Sequence, residues 1–331
     1  MNSTWQTFLE QQGAHLENGI ATDFGDAPAE RLAARDAAIL CDLSQFGLLR
    51  VSGDDAQTFL QNMLSSDVRE VGSRAQYSSL STPKGRMLAT FLIWRNGGDY
   101  FLQLARDLVP AIHKKLAMYV LRSKVKVSDA SDEFVCLGYT GPLTDAPDAA
   151  MGATATDAGF CLRLDSQRRL LAMPAANAPA VWQKLAQQAR PAGSPCWDWL
   201  AIQAGIPTVC APTQEQFVPQ MGNLEVIGGV NFKKGCYPGQ EIVARMQYLG
   251  KAKRRMYLAH CDQPARPGER LFSASPGENA HGLVVNAAPA PEGGYDLLGV
   301  LPIASFEHGD IRLGDADGAP LDFLPLPYAL P

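Results

Sequence analysis

The sequence predicts a multi-domain α+β protein, on three observations. A chain of 331 residues is long for one hydrophobic core and fits two or three domains. Up to about residue 140, patterns typical of helices alternate with β-rich runs. From residue 252 onward, short apolar runs alternate with turn clusters rich in Gly, Pro and Asp. Strands at this spacing indicate a small C-terminal β-barrel.

The composition limits the class of protein. The net charge is −5 and the chain has no run of 18 apolar residues, so we expect neither direct nucleic-acid binding nor a membrane span. The N-terminus lacks the cationic and apolar regions of a signal peptide. The seven cysteines form no C-x-x-C pair, which predicts neither a metal site nor a disulfide framework. A reducing cytoplasm is the simplest setting for such a chain.

The first elements follow from caps and apolar spacing. A helix is predicted at the start of the chain, capped by Ser3 or Thr4, and a second helix over 29–40. The run "CDLSQFGLLRVSG" (41–53) predicts a strand. The run "DDAQTFLQNML" (54–64) predicts a helix, because its first aspartates are good caps and its apolar residues form one stripe.

The clearest hairpin lies over residues 85–105. Two β-rich runs flank "NGGD" (96–99), whose residues favour the positive φ of a tight turn. A helix over 107–123 and further strands follow. The region 141–195 is rich in Ala, Pro and Gly, and it predicts a smaller α/β piece with one helix near 178–189.

One thiol, Cys236, lies in a stretch of unusual composition, "NFKKGCYPGQEIVAR". Pro238 suits a first helical turn, so the sequence predicts a helix whose N-terminus lies at Cys236. The helix dipole and the ammonium of Lys234 would favour the thiolate there. Gly235 and Gly239 permit a tight turn and the close approach of another group. A packed thiol and a Cys-His nucleophile are the alternatives, and nothing in the sequence places a histidine beside this cysteine.

The segment after this stretch is strongly positive, although the chain as a whole is acidic. It carries Arg245, Lys251, Lys253, Arg254 and Arg255. A solvated hairpin would explain this composition. A docking surface for an anionic group, such as a carboxylate or a phosphate backbone, would explain it equally well.

The cysteine stretch and three further blocks resemble a known family. "FKKGCYPGQEIVAR" is similar to K-G-C-[FY]-x-G-Q-E-x-x-x-R, the motif of the YgfZ family of folate-binding proteins. That family resembles the T-protein (aminomethyltransferase) of the glycine cleavage system. The further blocks are "QFGLLRVSGDDAQTFLQNMLSSDV", "YSSLSTPKGRMLATFLIWR" and the stretch from Trp197 to Cys236.

The resemblance implies a T-protein-like folate-binding fold of three parts. Residues 1–135 together with 196–250 would form a discontinuous folate-binding α/β region. Residues 136–195 would form a smaller α/β region, and 251–331 would form the C-terminal β-barrel. The cofactor implied is tetrahydrofolate, bound in a central pocket.

The same resemblance assigns site residues. It implies that Cys236 and Lys234 are the catalytic pair. It also implies that Phe46, Trp197 and Gln203 contact the folate, since a flat pterin stacks well on aromatic rings. The remaining positions that match the motif are Gly235, Gly239, Gln240, Glu241 and Arg245.

Two departures from the T-protein concern the reaction. Its acidic L-D-D is Leu88-Ala89-Thr90 here, and its pocket glutamate is Gln203. A carboxylate near the reacting folate nitrogen is the natural group for proton transfer in aminomethyl transfer. These replacements therefore argue against that reaction.

The function implied by the resemblance is that of an accessory protein for iron–sulfur enzymes. Such a protein needs folate and supports cluster assembly or repair in transient client enzymes, so its effect on tRNA modification is indirect. Cys236 would contact a cluster on a client, form a mixed disulfide or attack a folate-borne one-carbon unit. Two alternatives stay open. One is a tetrahydrofolate-dependent aminomethyl or one-carbon transferase. The other is a folate-bearing binding module that docks RNA or a partner protein through residues 245–255, while Cys236 is structural.

Overall fold

The computed structural model describes residues 2–143, 146–250, 252–273 and 281–331, apart from the side chain of Leu249. Helices and sheets occur together throughout this part of the chain, which confirms the predicted α+β class. The chain divides into two units. Unit 1 contains Met1–Leu60, Val68–Gln76 and Leu92–Trp197, and unit 2 contains Gln61–Asp67, Tyr77–Phe91 and Asp198–Pro331. The division into three regions stays a prediction.

Eight α-helices lie in the described residues, and none of them is long and apolar enough to cross a membrane. The helices are α1 (Ser3–Gln11), α2 (Ala27–Asp36), α3 (Ala56–Met63), α4 (Val109–Val120), α5 (Ala178–Leu185), α6 (Ser194–Gln203), α7 (Gln240–Leu249) and α8 (Ile303–His308). The strands are β1 (His15–Glu17), β2 (Ile20–Asp23), β3 (Ile39–Asp42), β4 (Phe46–Ser52), β5 (Gln76–Ser81), β6 (Met87–Asn96), β7 (Asp99–Ala105), β8 (Lys126–Asp129), β9 (Phe134–Tyr139), β10 (Gly152–Thr156), β11 (Gly159–Arg163), β12 (Arg169–Pro174), β13 (Arg190–Ala192), β14 (Arg254–Cys261), β15 (Arg270–Ser273), β16 (Gly282–Pro289), β17 (Tyr295–Pro302), β18 (Ile311–Leu313) and β19 (Asp322–Leu324).

A six-stranded sheet organises much of unit 1. Its strand order is β10-β11-β12-β9-β3-β13, and its pairs are antiparallel except for the parallel pair of β13 and β3. Helices α1 and α5 pack with this sheet into one hydrophobic cluster. Trp5 and Trp182 meet there edge to face, with 5.8 Å between their ring centroids. Burial of such large rings contributes much of the stability of this layer.

The predicted hairpin is present, and its turn lies in unit 1. Strands β6 and β7 pair antiparallel up to Asn96 and Asp99, so the turn consists of Gly97 and Gly98, as the sequence predicts. Gly97 has a φ of 59°, which costs a glycine little. Strand β4 pairs with β7 on one side and with β8 on the other.

The C-terminal part of unit 2 is a six-stranded sheet in which every described pair is antiparallel. Its strand order is β18-β15-β16-β17-β14-β19, and the sheet curls into a half-barrel. The inner face buries an apolar cluster that includes Leu271, Val284, Leu297 and Leu301. This arrangement confirms the predicted barrel-like segment.

Two helix boundaries differ from the predictions. The side-chain oxygen of Asn2 accepts from the backbone N–H groups of Thr4 and Trp5, so Asn2 caps α1 in place of Ser3 or Thr4. The predicted helix over 29–40 ends at Asp36, and strand β3 begins soon after it.

The predicted strand over 41–53 is two strands, β3 and β4. Asp42 separates them, because its Oδ2 atom accepts from the backbone N–H of Ser44 at 3.1 Å and so closes a local turn. The turn ends with a hydrogen bond of 3.0 Å from the N–H of Phe46 to the carbonyl of Leu43. Phe46 therefore stands at the first position of β4.

The C-terminal tail packs against the segment that follows α6. The hydroxyl of Tyr328 donates to the carbonyl of Gly205 at 2.7 Å. The ring of Tyr328 occupies the space that a Cβ atom at Gly205 would need, since the two would lie 2.6 Å apart. Burial raises the pKa of Tyr328 to about 12, so its hydroxyl stays protonated and can donate this hydrogen bond.

Candidate functional site

The cysteine stretch forms a loop, residues 231–239, that leads into α7; we call it the cysteine loop. Gly239 is the N-cap of α7 with a φ of 82°, and the helix begins at Gln240. The left-handed backbone at Gly239 cannot belong to a right-handed helix. The prediction that the helix N-terminus lies at Cys236, with Pro238 in the first turn, is therefore wrong. Glu241 does fall in the first turn, as predicted.

Lys234 holds the cysteine loop from inside unit 2. Its side chain is buried, and its Nζ atom donates to the carbonyls of Leu64 at 2.6 Å and Ser66 at 2.7 Å. The same ammonium lies 5.2 Å from the ring centroid of Tyr237, whose pKa burial raises to about 12. A buried ammonium requires acceptors of this kind. This geometry gives Lys234 a positioning role, and its catalytic role stays a prediction.

Backbone contacts fix both ends of the cysteine loop. The N–H of Asn231 donates to the carbonyl of Ser65 at 2.9 Å, and the side-chain oxygen of Asn231 accepts from the N–H of Lys233 at 2.8 Å. At the other end, Nε2 of Gln240 donates to the carbonyl of Lys234 at 3.4 Å. The motif residues Lys234 and Gln240 thus shape the loop.

Gly239 brings the end of the cysteine loop against the turn between β5 and β6. A Cβ atom at Gly239 would lie 2.5 Å from the carbonyl oxygen of Thr82 and 2.7 Å from Cα of Gly85. Both distances are shorter than any contact a real side chain makes, so glycine is required here for close approach as well as for its φ. Within α7, the carbonyl of the buried Val243 accepts from Nε2 of Gln220 at 2.7 Å.

The thiol of Cys236 is exposed at the outside of this loop. All seven cysteines lie in the described part of the chain, all are free, and Cys236 alone among them is exposed. No described atom lies within 4 Å of a Cβ atom placed on the neighbouring Gly235. A partner therefore has open access to this side of the loop. Within the described residues, no group of three or more His, Cys, Asp or Glu side chains is arranged to hold a metal.

The two aromatic residues predicted to contact folate belong to unit 1. Trp197 is buried, and its ring lies 2.4 Å from the position of a Cβ atom at Gly138. The guanidinium of Arg168 lies 5.9 Å from the Trp197 ring centroid. Phe46 is half-buried and lines a cavity of about 20 Å³, which holds about one water molecule and no pterin.

Gln203, the third predicted contact, supports a buried carboxylate in unit 2. Its Nε2 atom donates to Oδ2 of Asp296 at 2.7 Å, and Nε1 of Trp199 donates to the same oxygen at 2.7 Å. Nδ1 of His260 lies 2.8 Å from the other carboxylate oxygen of Asp296. Asp296 thus has a close polar neighbour from each of three side chains.

The residues that replace the acidic L-D-D of the T-protein also have a role in the fold. Leu88, Ala89 and Thr90 are buried. The hydroxyl oxygen of Thr90 accepts from the backbone N–H of Val209 at 3.0 Å. An uncharged side chain therefore satisfies a buried backbone donor at this position.

The positive segment divides into buried and accessible residues. Arg255 is buried and forms an ion pair with Glu225, so it does not belong to a docking surface. Arg245 and Lys253 are exposed, whereas Arg254 is only partly exposed. Lys251 lies outside the described residues.

Comparison with known proteins decides the family. A tRNA-modifying protein YgfZ from Cronobacter sakazakii is 31% identical over 319 residues, which cover 90% of this chain and 95% of that protein. A protein of the same name from Klebsiella pneumoniae is 32% identical over 314 residues, with the same coverage. The chain belongs to the YgfZ family.

Two further similarities support the predicted fold of this YgfZ family member. The model of the GCVT N-terminal domain matches residues 10–157. The crystal structure of glycine cleavage system aminomethyltransferase T from Bartonella henselae superposes with a TM-score of 0.79 and 20% identity, covering 98% of this chain and 96% of that one. The predicted T-protein-like fold is thereby confirmed.

Sequence reasoning missed the serines that support the motif lysine of this YgfZ family member. Ser65 Oγ donates to the carbonyl of Gly229 at 2.7 Å and accepts from the N–H of Ser79 at 2.8 Å. Ser66 Oγ donates to Oγ of Ser78 at 2.8 Å. All four serines are buried, and they order the segment whose carbonyls hold Lys234. The available signal was two pairs of adjacent serines beside apolar runs, "LSSDV" and "YSSLS".

Proposed function

We propose that this protein is a tetrahydrofolate-binding accessory protein that supports the assembly or repair of iron–sulfur clusters in client enzymes. Its role is related to tRNA modification, as the names of its YgfZ relatives indicate for those proteins. A net charge of −5 favours an indirect effect on tRNA. The observation that carries the proposal is an exposed Cys236 on a loop whose motif residues are fixed from inside the fold.

The cysteine loop suits a thiol that meets a group on another protein. Buried hydrogen bonds of Lys234 and the close packing of Gly239 order the loop before a partner arrives. A preordered loop loses less conformational entropy on binding than a mobile one. Iron–sulfur clusters accept thiolate ligands, but one cysteine cannot hold a cluster alone. Cys236 would therefore act on a cluster or thiol that the client holds.

Tetrahydrofolate binding is proposed on the T-protein-like fold. Among the three predicted contacts, Phe46 keeps a partly exposed ring that suits stacking, whereas Trp197 is buried and Gln203 donates to Asp296. Bound tetrahydrofolate would supply a carrier for a one-carbon unit. Titration calorimetry of the purified protein with tetrahydrofolate tests this part, and we expect Phe46→Ala to weaken binding by about tenfold. Absence of binding by the wild-type protein would remove folate from the proposal.

The thiol role is tested in cells that lack their own copy of the protein. Wild type and Cys210→Ser, a substitution at a half-buried cysteine, should restore the activity of iron–sulfur client enzymes, whereas Cys236→Ser should not. Equal restoration by Cys236→Ser would reject the thiol role. Turnover of tetrahydrofolate and a one-carbon donor by the purified protein would instead support a transferase.

A further inference from the structure

A cleft with a volume of about 1090 Å³ lies within unit 2, beside the helix that follows the cysteine loop. We call it the cationic cleft. It is lined by residues of α7, of the segment that enters β14 and of the start of α8. Its volume is at the upper end for pockets that hold small molecules, which leaves room for a segment of polypeptide.

The charge of the cationic cleft is opposite in sign to that of the whole chain. Arg245, Lys253 and Arg254 line it, and Glu307 is the one acid among the described lining residues. Burial lowers the pKa of Arg254, and the nearby charge of Arg86 lowers it further. Cations gathered in this way attract a carboxylate, because the anion relieves their mutual repulsion.

The rest of the lining is apolar and contains no aromatic side chain among the described residues. Met221, Ile242, Met246 and Ile303 belong to it, and methionines adapt readily to the shape of a partner. Sites for single-stranded nucleic acid combine cations with aromatic rings on which bases stack. The lining therefore favours a ligand that is both acidic and aliphatic over an RNA strand.

We propose that the cationic cleft binds an acidic, amphipathic segment of a partner protein. The apolar side chains of the segment would pack between Met246 and Ile303, and its carboxylates would pair with Arg245 and Lys253. Arg245 is the last residue of the cysteine motif, so this proposal gives that position a contact with the partner. The binding requires neither folate nor the thiol of Cys236.

The proposal is tested with a random peptide display library. The full-length protein is the bait, and the double variant Lys253→Glu/Ile303→Asp serves for counter-selection after its thermal unfolding shows that it is folded. We expect the sequences that prefer the wild-type protein to combine Asp or Glu with Leu, Ile or Met. A synthetic peptide of that sequence should bind the double variant at least about tenfold more weakly, and added salt should weaken its binding to wild type.

The matched control is Lys184→Glu, which makes the same change of charge on α5, a helix that does not line the cleft. It should leave peptide affinity unchanged. The proposal is overturned if no sequence prefers the wild-type protein over the double variant, or if the preferred sequences are basic. It is equally overturned if a single-stranded RNA oligonucleotide binds in place of acidic peptides, or if the double substitution dissociates a wild-type dimer in sedimentation.

Discussion

The ammonium of Lys234 is buried, and it donates hydrogen bonds to two backbone carbonyls. The sequence indicates a lysine next to a thiol, and electrostatics alone would make it an activator of that thiol. The geometry shows that its ammonium instead joins the cysteine loop to Leu64 and Ser66. A single residue thus links the motif to a segment far away in sequence.

Replacing this lysine should destabilise the protein without removing the thiol. In Lys234→Met the two carbonyls lose their donor, and we expect the free energy of unfolding to fall by about 1–3 kcal/mol. Lys233→Met is the matched control, because Lys233 is exposed and should change stability by less than about 0.5 kcal/mol. Urea unfolding of both variants measures this. Equal free energies of unfolding for Lys234→Met and Lys233→Met would contradict the positioning role of Lys234.

Exposure should make Cys236 the first cysteine to react. Cys41, Cys161, Cys196 and Cys261 are buried. Burial and the charge of Asp42 raise the pKa of Cys136 to about 12, which keeps its thiol protonated. We expect brief treatment of the native protein with iodoacetamide to modify Cys236 first, as read by peptide mass mapping. Preferential modification of a buried cysteine would show that the native loop differs from the one described.

At the scale of elements, two glycines of the motif differ in their surroundings. Gly239 meets Thr82 and Gly85 and has positive φ, whereas nothing described lies near Gly235. Gly239→Ala should therefore lower the free energy of unfolding by about 1–3 kcal/mol or more. Gly235→Ala should be tolerated within about 0.5 kcal/mol. Thermal unfolding compares them, and equal destabilisation would contradict the described packing.

Strand β14 begins with two arginines that serve different purposes. Arg255 forms a buried ion pair with Glu225, while Arg254 lines the cationic cleft. Arg255→Ala should cost about 3–5 kcal/mol of stability, because it leaves the Glu225 carboxylate buried without its cation. Arg254→Ala should cost clearly less. Denaturant unfolding of the two variants tests this order, and the reverse order would argue against the buried pair.

Elements with strong local signals could be predicted from the sequence. The hairpin around Gly97 and the helix near residue 178 follow from turn chemistry and apolar spacing. Elements whose boundaries depend on contacts with residues distant in sequence could not be predicted in this way. Glu30 is buried, and its carboxylate accepts from the N–H groups of Phe24 and Gly193, which are distant in sequence from each other. The start of α7 depends on how closely Gly239 approaches a turn, and no local pattern contains that information.

At the scale of the whole molecule, the motif was more informative than periodicity. Alternating patterns indicated only an α+β chain, whereas the residues around Cys236 led to the family and so to the T-protein-like fold. Individual site residues were harder to predict. Gln203 matches a pocket position of the T-protein by resemblance, yet its amide donates to Asp296, which lies far along the chain. Such long-range partners decide which groups remain available for a ligand.

The pH dependence of stability should report on the partner of His260. Burial acts to lower the pKa of His260, but hydrogen bonds and charges from Asp296 and Asp262 raise it above its ordinary value. The pair therefore stabilises the fold fully below the unfolded pKa of about 6.5, and this contribution is lost as pH rises through the raised pKa.

We expect the free energy of unfolding of wild type to exceed that of His260→Gln most at mildly acidic pH, with the difference shrinking as pH rises. His308→Gln, at an exposed histidine, is the control and should show a much smaller dependence. Chemical unfolding at a series of pH values measures both differences. A difference in free energy of unfolding between wild type and His260→Gln that grows toward alkaline pH would contradict the stabilising role of the His260–Asp296 pair.

Tyr328 attaches the C-terminal segment to unit 2, although its side chain is only half-buried. Its hydroxyl bonds to Gly205, and its ring lies close enough to feel the charges of Glu225 and Arg255. Trimming by a carboxypeptidase past this tyrosine would remove its hydrogen bond to Gly205 and its packing there. Affinity tags are therefore better fused at the other terminus, and loss of the tail in storage would first become visible as a lowered melting temperature.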